Sequence, residues 1–480
     1  MKKNIFLALF NLCISLLPIQ LLGEDSSEVK NEQITEHTTS VMRGDWTGEL
    51  HIGSMKLTLV LHIVEDPFGK ISATLDCVEQ NAFGIPIDFF SFKDSKCIFQ
   101  VSSLQARFEG ECQKEENVIS GVFYQSGLSL PITFQQGLSK KPNLSSAYIE
   151  KEVSYKNPSA PDVTLSGTLT LPKGTGPFPT VLLIAGSGVQ DRNEQMYGHK
   201  PFLVLADHLT RQNIGVLRVD KRGCGKSTGN YALATTEDLA TDALAGISYL
   251  KSLETVDSTQ IGLIGHSEGG LIASMLAAES NDVAFIVLLA APGVTGEKIL
   301  LKQGTLVQQL ENVPEKYIAL ENQLRLDMFA ILKQDADIVT AEKKLQQACK
   351  KYLNSMPNVR KKELEQTLNA SIQQMNTPWF RFFLTFDPVS VLQQVKIPVL
   401  ALNGALDKQV DPKQNLTSIT KALEKAGNKE YTIVELPHLN HLFQTSVTGS
   451  PSEYPIIEET ISPKALHCIT DWIQSQITKK

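Results

Sequence analysis

A mostly parallel α/β sheet domain with helices on both faces, preceded by a small all-β domain, is the fold class predicted for this chain. Three features predict it: apolar strands alternating with amphipathic helices after residue 148, short strands of alternating polarity before residue 137, and a polar stretch between them. With 480 residues the chain can form more than one core. Its 42% hydrophobic and 20% charged residues are those of a globular protein, and the net charge of -7 offers phosphate backbones and anionic lipids no footing. Nucleic acid and membrane surfaces are therefore set aside as partners. A small or neutral substrate fits better.

Taken in order, residues 1–23 carry Lys2 and Lys3, then an apolar run from Ile5 to Leu22 interrupted by Asn11, Pro18 and Gln20. That pattern predicts a cleaved signal peptide and a periplasmic or secreted protein with no stable membrane insertion. Residues 24–40, EDSSEVKNEQITEHTTS, lack periodicity and are expected to form a flexible leader. From 41 to 137, segments such as MKLTLVLHI, KCIFQVSS, ARFEGE, VISGVFY and LPITF predict eight to ten short strands in a barrel or sandwich. His51 and His62 stand isolated there and are expected on strand faces. Cys97 and Cys112 bracket a hairpin, so they form either a disulfide or, with Cys77, a set of buried thiols. None of the seven cysteines has metal-ligand spacing, and no metal or cofactor is implied. Residues 138–147 contain Pro142 and serve as a linker.

Residues 148–480 alternate strands such as PTVLLIAGSG, IGVLRVD, IGLIGHS, VAFIVLLA, IPVLALNG and YTIVELP with helical segments. Strands apolar along their whole length are expected to be buried on both faces. The stretch from about 294 to 380 has no strand pattern and predicts a helical cap inserted into this domain.

The chemistry is expected at IGLIGHSEGG, a GxSxG pattern preceded by a strand and followed by a helix. On so cramped a turn, side chains at Gly265 and Gly269 would collide with the helix and strand, leaving Ser267 exposed as a nucleophile. Its partners should follow as acid, then histidine, each after a strand. Asp407 in GALDKQV is the candidate acid, with Asp411 as runner-up, and His441 in HLNHLFQ is the candidate base, with His438 as alternative. An oxyanion site requires backbone donors near the serine. The N–H groups of Ser187, in the loop of Gly186 and Gly188, and of Glu268 are the candidates. Asp191 and Arg192 are expected to orient that loop through a local ion pair. The segment DKRGCGKSTG is not a nucleotide-binding loop, because that pattern needs glycine where Asp220 stands. Its aspartate and arginine are expected to brace the site.

These motifs, GTLTLP, PFPTVLLIAGSGVQDRN, DKRGCGKSTG, GHSEGG, PWFRFFLTFDP, ALNGALDKQV and LNHLFQ, resemble the α/β-hydrolase superfamily and within it the EstD-like bacterial carboxylesterases. The resemblance covers about residues 150–480, and the β-rich segment before it looks like the domain that often precedes these enzymes. Two departures are Val189 where proline is expected and His438 where glycine is expected. The resemblance implies hydrolysis of a small-molecule carboxylic ester without a cofactor. A serine aminopeptidase or acyl-peptidase would use the same triad, a thioesterase is a further relative, and a noncatalytic binding protein could keep the scaffold. The aromatic residues Trp379, Phe380, Phe382 and Phe383 are expected in cap packing.

Overall fold

The computed structural model describes residues 44–477 apart from 53–54, 66–70, 78–81, 102–103, 105, 114–116, 126–127, 137–147, 336 and 356–360. The expected signal peptide, leader and linker lie outside the described residues. Two compact units are divided between Leu144 and Ser145.

The first unit is one antiparallel sheet of nine strands: β1 (Gly44–Ile52), β2 (Met55–Glu65), β3 (Ile71–Cys77), β4 (Ala82–Pro86), β5 (Phe89–Lys93), β6 (Lys96–Val101), β7 (Ala106–Gln113), β8 (Val118–Gln125) and β9 (Leu128–Gln136). Their order is β4-β3-β2-β1-β9-β8-β7-β6-β5, which puts β4 and β5 at opposite edges. Yet only Ile87 and Asp88 join those two strands, a reach of about 11 Å at full extension. The edges must therefore lie near each other. The Ile87 N–H donates to Ala73 O on β3 (3.1 Å) and the Asp88 N–H to Gln100 O on β6 (3.0 Å), nearly closing the sheet into a barrel. The two-residue turn between β5 and β6 has Asp94 and Ser95 both at positive φ (52° and 65°), the backbone that matches strand twist in a tight hairpin.

Alternation sets what fills this barrel. On β6, Cys97, Phe99 and Val101 are fully buried while Lys96 and Gln100 face solvent. Phe99 stacks on Phe108 with ring centres 5.0 Å apart, and Phe108 meets Phe134 edge-on at 5.3 Å. Cys77, Cys97 and Cys112 are buried thiols outside any disulfide. Cys97 lies opposite Gly110 and Cys112 opposite Ile119, so the two are not a cross-strand pair. Burial, with Cys112 nearby, pushes the Cys97 thiol up to about 12. His62 is on a strand face but is not isolated: its Nδ1 is 2.6 Å from Asp45 and its Nε2 2.7 Å from Asp76.

The second unit is an eight-stranded sheet of order β10-β11-β13-β12-β14-β15-β16-β17. The strands are β10 (Tyr148–Asn157), β11 (Ala160–Pro172), β12 (Phe178–Ile184), β13 (Gly215–Val219), β14 (Val256–His266), β15 (Phe285–Leu289), β16 (Val399–Gly404) and β17 (Tyr431–Leu436). The first two pairings are antiparallel and the remaining five parallel. Period-two alternation divides the side chains between two cores. Leu182, Ile184, Leu263, Ile286 and Leu288 face helices α2 (Thr236–Lys251), α3 (Glu268–Glu279) and α10 (Pro412–Ala426), while Val181, Leu183, Ile264, Val287 and Leu289 face α1 (Pro201–Arg211) and α11 (Pro463–Ile477). Each fully buried aliphatic side chain contributes roughly 1.5–3 kcal/mol, so these continuous apolar strands specify a two-sided sheet. Helix α2 starts at Thr236 with Glu237 and Asp238 in its first turn; Thr235 caps it and Asp238 closes a capping box.

Between β15 and β16, among the described residues, five helices form the cap: α4 (Gly296–Leu310), α5 (Glu315–Gln334), α6 (Ile338–Ser355), α7 (Lys361–Met375) and α8 (Pro378–Thr385). The cap thus ends at Thr385, past the expected boundary near 380, because Thr377 caps a final helix that carries the aromatic residues. The short α9 (Pro388–Leu392) then leads back to the sheet. Among the described residues no helix is long and apolar enough to cross a membrane.

Candidate active site

From β12 the chain passes to β13 on one side and then returns to β14 on the other, so the loops after β12 and β14 diverge and open a crevice at the carboxyl edge of the sheet. Ser267 sits there alone between the last residue of β14 and the first of α3, with φ 51° and ψ -119°. That backbone is strained for a residue with a side chain, at a cost of about 1–3 kcal/mol. Close approach sustains it. A Cβ on Gly265 would lie 2.1 Å from Gly269 O, and one on Gly269 would lie 1.9 Å from Ile184 O, so only glycine admits this turn. The Ser267 N–H is anchored to Leu289 O on β15 (2.8 Å).

The loops after β16 and β17 bring Asp407 and His441 together. His441 Nδ1 lies 2.7 Å from Asp407 Oδ2, and the other carboxylate oxygen accepts from the N–H groups of Gln409 and Val410, both at 2.8 Å. Both side chains are buried, which strengthens the pairing. The alternatives have other places. Asp411 caps α10 by accepting from the Gln414 N–H (2.7 Å), and His438 is an exposed residue at φ 65°. That positive φ is why glycine suits the position. Among the described residues Ser267 Oγ and His441 share no hydrogen bond; both line one cavity, and such contacts often tighten only around substrate.

On the other side of Ser267 the loop after β12 is held at three points. The Gly186 N–H donates to Glu194 Oε1 (2.6 Å) and the Gly188 N–H to the Tyr231 hydroxyl (2.8 Å). The Ser187 N–H between them has no acceptor among the described residues. Lys221 Nζ donates to Gly186 O (2.5 Å). The Glu268 N–H, at the start of α3, has no intrahelical partner, and the helix dipole there favours negative charge.

Several of these supports were not read from the sequence. Glu194, Lys221 and Tyr231 were unassigned, although Lys221 lies inside DKRGCGKSTG and Glu194 just past GVQDRN. A charged residue inside or beside a glycine-rich motif is the signal that could have marked Glu194 and Lys221. His266 joins them: Nδ1 faces Glu194 Oε1 (2.9 Å) and Nε2 faces the His441 carbonyl oxygen (3.1 Å). Burial works against the His266 cation, but the charge of Glu194 and these hydrogen bonds raise its pKa above the ordinary value. The expected ion pair between Asp191 and Arg192 is not formed. Arg192 instead reaches Asp220 (2.8 Å) and Glu152 (2.6 Å), because the Asp191 carboxylate turns back to accept from the N–H groups of Asn193 and Gln195. Arg222 pairs with Asp242 on α2 (2.7 Å), so Asp220 and Arg222 do brace the turn that carries Lys221.

The cavity holds about 420 Å³ and is bounded by Ser267, His441, the Gly186–Gly188 loop and the cap residues Ile299, Leu300, Trp379, Phe380 and Phe383. The aromatic cluster is thus more than cap packing. Trp379 stacks on Phe383 (5.4 Å) at the cavity wall, whereas Phe382 turns away to stack on Phe386 (5.1 Å). Val189 is exposed in its loop and none of the cavity wall includes it. Among the described residues no cluster of histidine, cysteine and carboxylate side chains is arranged to hold a metal ion.

Comparison with known proteins bears on this arrangement. Residues 200–445, a span containing Ser267, Asp407 and His441, match the Hydrolase_4 family, described as serine aminopeptidase, S33. Esterase EstD of Thermotoga maritima is 26% identical over 298 residues, covering 61% of this chain and 60% of that protein. The chain therefore aligns with about three fifths of that relative's length. Among solved structures, the Pyrococcus furiosus esterase Pf2001 superposes with a TM-score of 0.41 at 16% identity, covering 71% of this chain and 95% of that one. Est1E from Butyrivibrio proteoclasticus, solved with ferulic acid bound, gives a TM-score of 0.39 at 16% identity, covering 68% and 99%. With its sheet order, strand-turn-helix serine and family match over residues 200–445, this chain belongs to the Hydrolase_4 family of α/β-hydrolases.

Proposed function

We propose that the protein is a serine hydrolase that cleaves carboxylic esters of small molecules through an acyl-enzyme. One observation carries this reading: a strained Ser267 opens into an apolar-walled cavity beside His441, whose Nδ1 is held 2.7 Å from a buried Asp407. In the proposed reaction Ser267 Oγ attacks the ester carbonyl carbon and its proton passes to His441 Nε2. The C–O bond to the alcohol then breaks as His441 returns that proton to the leaving oxygen. Water, deprotonated by His441, attacks the acyl carbon and frees the acid and Ser267. Asp407 keeps the imidazole in the tautomer with Nε2 free to accept. The N–H groups of Ser187 and Glu268 would receive the negative oxygen of each tetrahedral intermediate. No cofactor takes part in these steps.

An ester is favoured over the amine terminus of a peptide by the charge of the cavity. An aminopeptidase has to pair the substrate's ammonium with an acid. The one carboxylate that lines this cavity among the described residues is Glu194, which is 1% exposed and already accepts from Gly186 and His266. The likeness to Esterase EstD supports the same choice. A panel of p-nitrophenyl esters of increasing acyl length, run against aminoacyl anilides, tests it. Faster release of aniline than of nitrophenol would overturn the ester reading. The N-terminal pattern at residues 1–23 supports export, so the mature protein should fractionate with the periplasm or medium; a full-length cytoplasmic form would contradict that.

A further inference from the structure

The backbone of the residue after Ser267 has a proposed role, but its side chain is also conspicuous: the Glu268 carboxylate is fully buried beside the site. A buried carboxylate is expensive unless several donors hold it. Three do, and each comes from a different element. Oε1 accepts from Thr236 Oγ1 on α2 (2.8 Å) and from the indole Nε1 of Trp379 on cap helix α8 (2.5 Å); Lys221 Nζ, itself buried, lies 3.4 Å from Oε2. The same Lys221 Nζ donates to Gly186 O (2.5 Å) and sits 5.5 Å from the ring centre of Tyr231, whose hydroxyl holds the Gly188 N–H. A backbone N–H donor at position 268 needs no acid side chain, so the carboxylate calls for its own explanation.

Resting on the esterase reading above, we infer that Glu268 is a positioning residue: its carboxylate ties the nucleophile's helix to the cap wall through Trp379 and to the Gly186–Gly188 loop through Lys221. One arm sets where the acyl wall stands relative to Ser267. The other sets where the Ser187 N–H stands. The clamp acts through these neighbours and does not touch the reacting atoms.

The two arms can be cut separately. In Glu268→Gln the amide oxygen still accepts from Trp379 and Thr236, but its NH₂ group faces the Lys221 ammonium, donor against donor. Trp379→Phe removes the indole donor and keeps a ring. The full chain is assayed with p-nitrophenyl esters of short and long acyl chains, with active sites counted by a fluorophosphonate. Expected for Glu268→Gln is a kcat per labelled site ~10- to 10²-fold lower at every chain length, with KM changed less than about threefold. Lys221→Met should lose a similar factor, and the double variant should be no worse than either single one, because both cut one arm. Trp379→Phe should raise KM more for the long ester than for the short one. Wild-type kcat per labelled site in Glu268→Gln, with only the melting temperature lowered, would show a purely structural ion pair and overturn the proposal; so would losses that multiply in the double variant.

A variant that fails to fold leaves a measurement on the wild type. The chain has three tryptophans, and the indole N–H resonance of Trp379, identified by its absence in Trp379→Phe, should lie downfield of the other two and move on fluorophosphonate labelling. A resonance that stays put overturns the clamp. A wild type that the fluorophosphonate does not label defeats the hydrolase reading itself, and this proposal with it; a labelled wild type with an active Glu268→Gln defeats the clamp alone.

Discussion

At the carboxyl edge of the sheet, two buried carboxylates are surrounded by partners: Asp407 accepts from His441 and two backbone N–H groups, and Glu268 from Thr236, Trp379 and Lys221. The cap, only a helix away, treats its own buried charge differently. Glu321 and Arg325 pair within α5, yet among the described residues Glu321 Oε2 and the Tyr352 hydroxyl are buried with no hydrogen-bonding partner. Burial pushes the Glu321 carboxyl up to about 7, against the opposing pull of Arg325. The edge thus holds its buried carboxylates among several donors, while the cap carries a charge its surroundings barely support. Chemistry should therefore respond to changes at the edge, and stability and its pH dependence to changes in the cap.

The largest test of this contrast is Ser267→Ala, which should reduce turnover of p-nitrophenyl esters by ~10⁴- to 10⁶-fold with little change in melting temperature. Retained hydrolysis would remove the edge's claim to the chemistry. Next, Asp407→Asn preserves shape but offers His441 Nδ1 an amide that can donate, favouring the wrong tautomer; kcat should fall by about 10⁴, whereas Asp411→Asn should affect only the capping of α10. Steady-state kinetics on the two variants separates them. Tyr231→Phe deletes the acceptor of the Gly188 N–H without altering the ring, and the resulting small displacement of the donor loop should lower kcat by roughly threefold to tenfold.

The smallest expected effect lies in the cap and concerns pH. The folded pKa of Glu321 is raised from 4.5 to about 7, so the folded cap holds the proton more tightly than the unfolded chain. Its favourable contribution is complete below the lower value and is lost as pH rises through the higher one. Melting curves over that window should show the wild type losing stability relative to Glu321→Gln, which has no proton to release. Parallel curves for the two proteins would break the contrast between cap and edge.

Much of the fold was legible because burial on both faces forces strands such as PTVLLIAG and VAFIVLLA to be apolar throughout, and solvent on one side forces KCIFQVSS to alternate. The GHSEGG turn was legible for a similar reason: a backbone that passes within 2.1 Å of where a Cβ would stand leaves a requirement for glycine in the sequence. The supports of the site were not. Arg192 adjoins Asp191 in sequence, and its partner proved to be Asp220, because the local carboxylate was already satisfied by backbone N–H groups. Trp379 looked like core packing, since nothing in PWFRFFLTFDP says that its indole faces a carboxylate more than a hundred residues earlier.

By itself, then, the sequence determined the class of sheet and the glycine requirement of the turn at Ser267, since each follows from local periodicity or local backbone sterics. Only the tertiary structure paired Asp407 with His441 and gave Asp411 to the cap of α10, brought the barrel near closure at Ile87 and Asp88, and assembled Glu194, Lys221, Tyr231 and Trp379 around the site. The physical reason is that a hydrogen-bond partner is chosen by which groups remain unsatisfied once the sheet has formed. That choice spans long sequence separations and leaves no period to read.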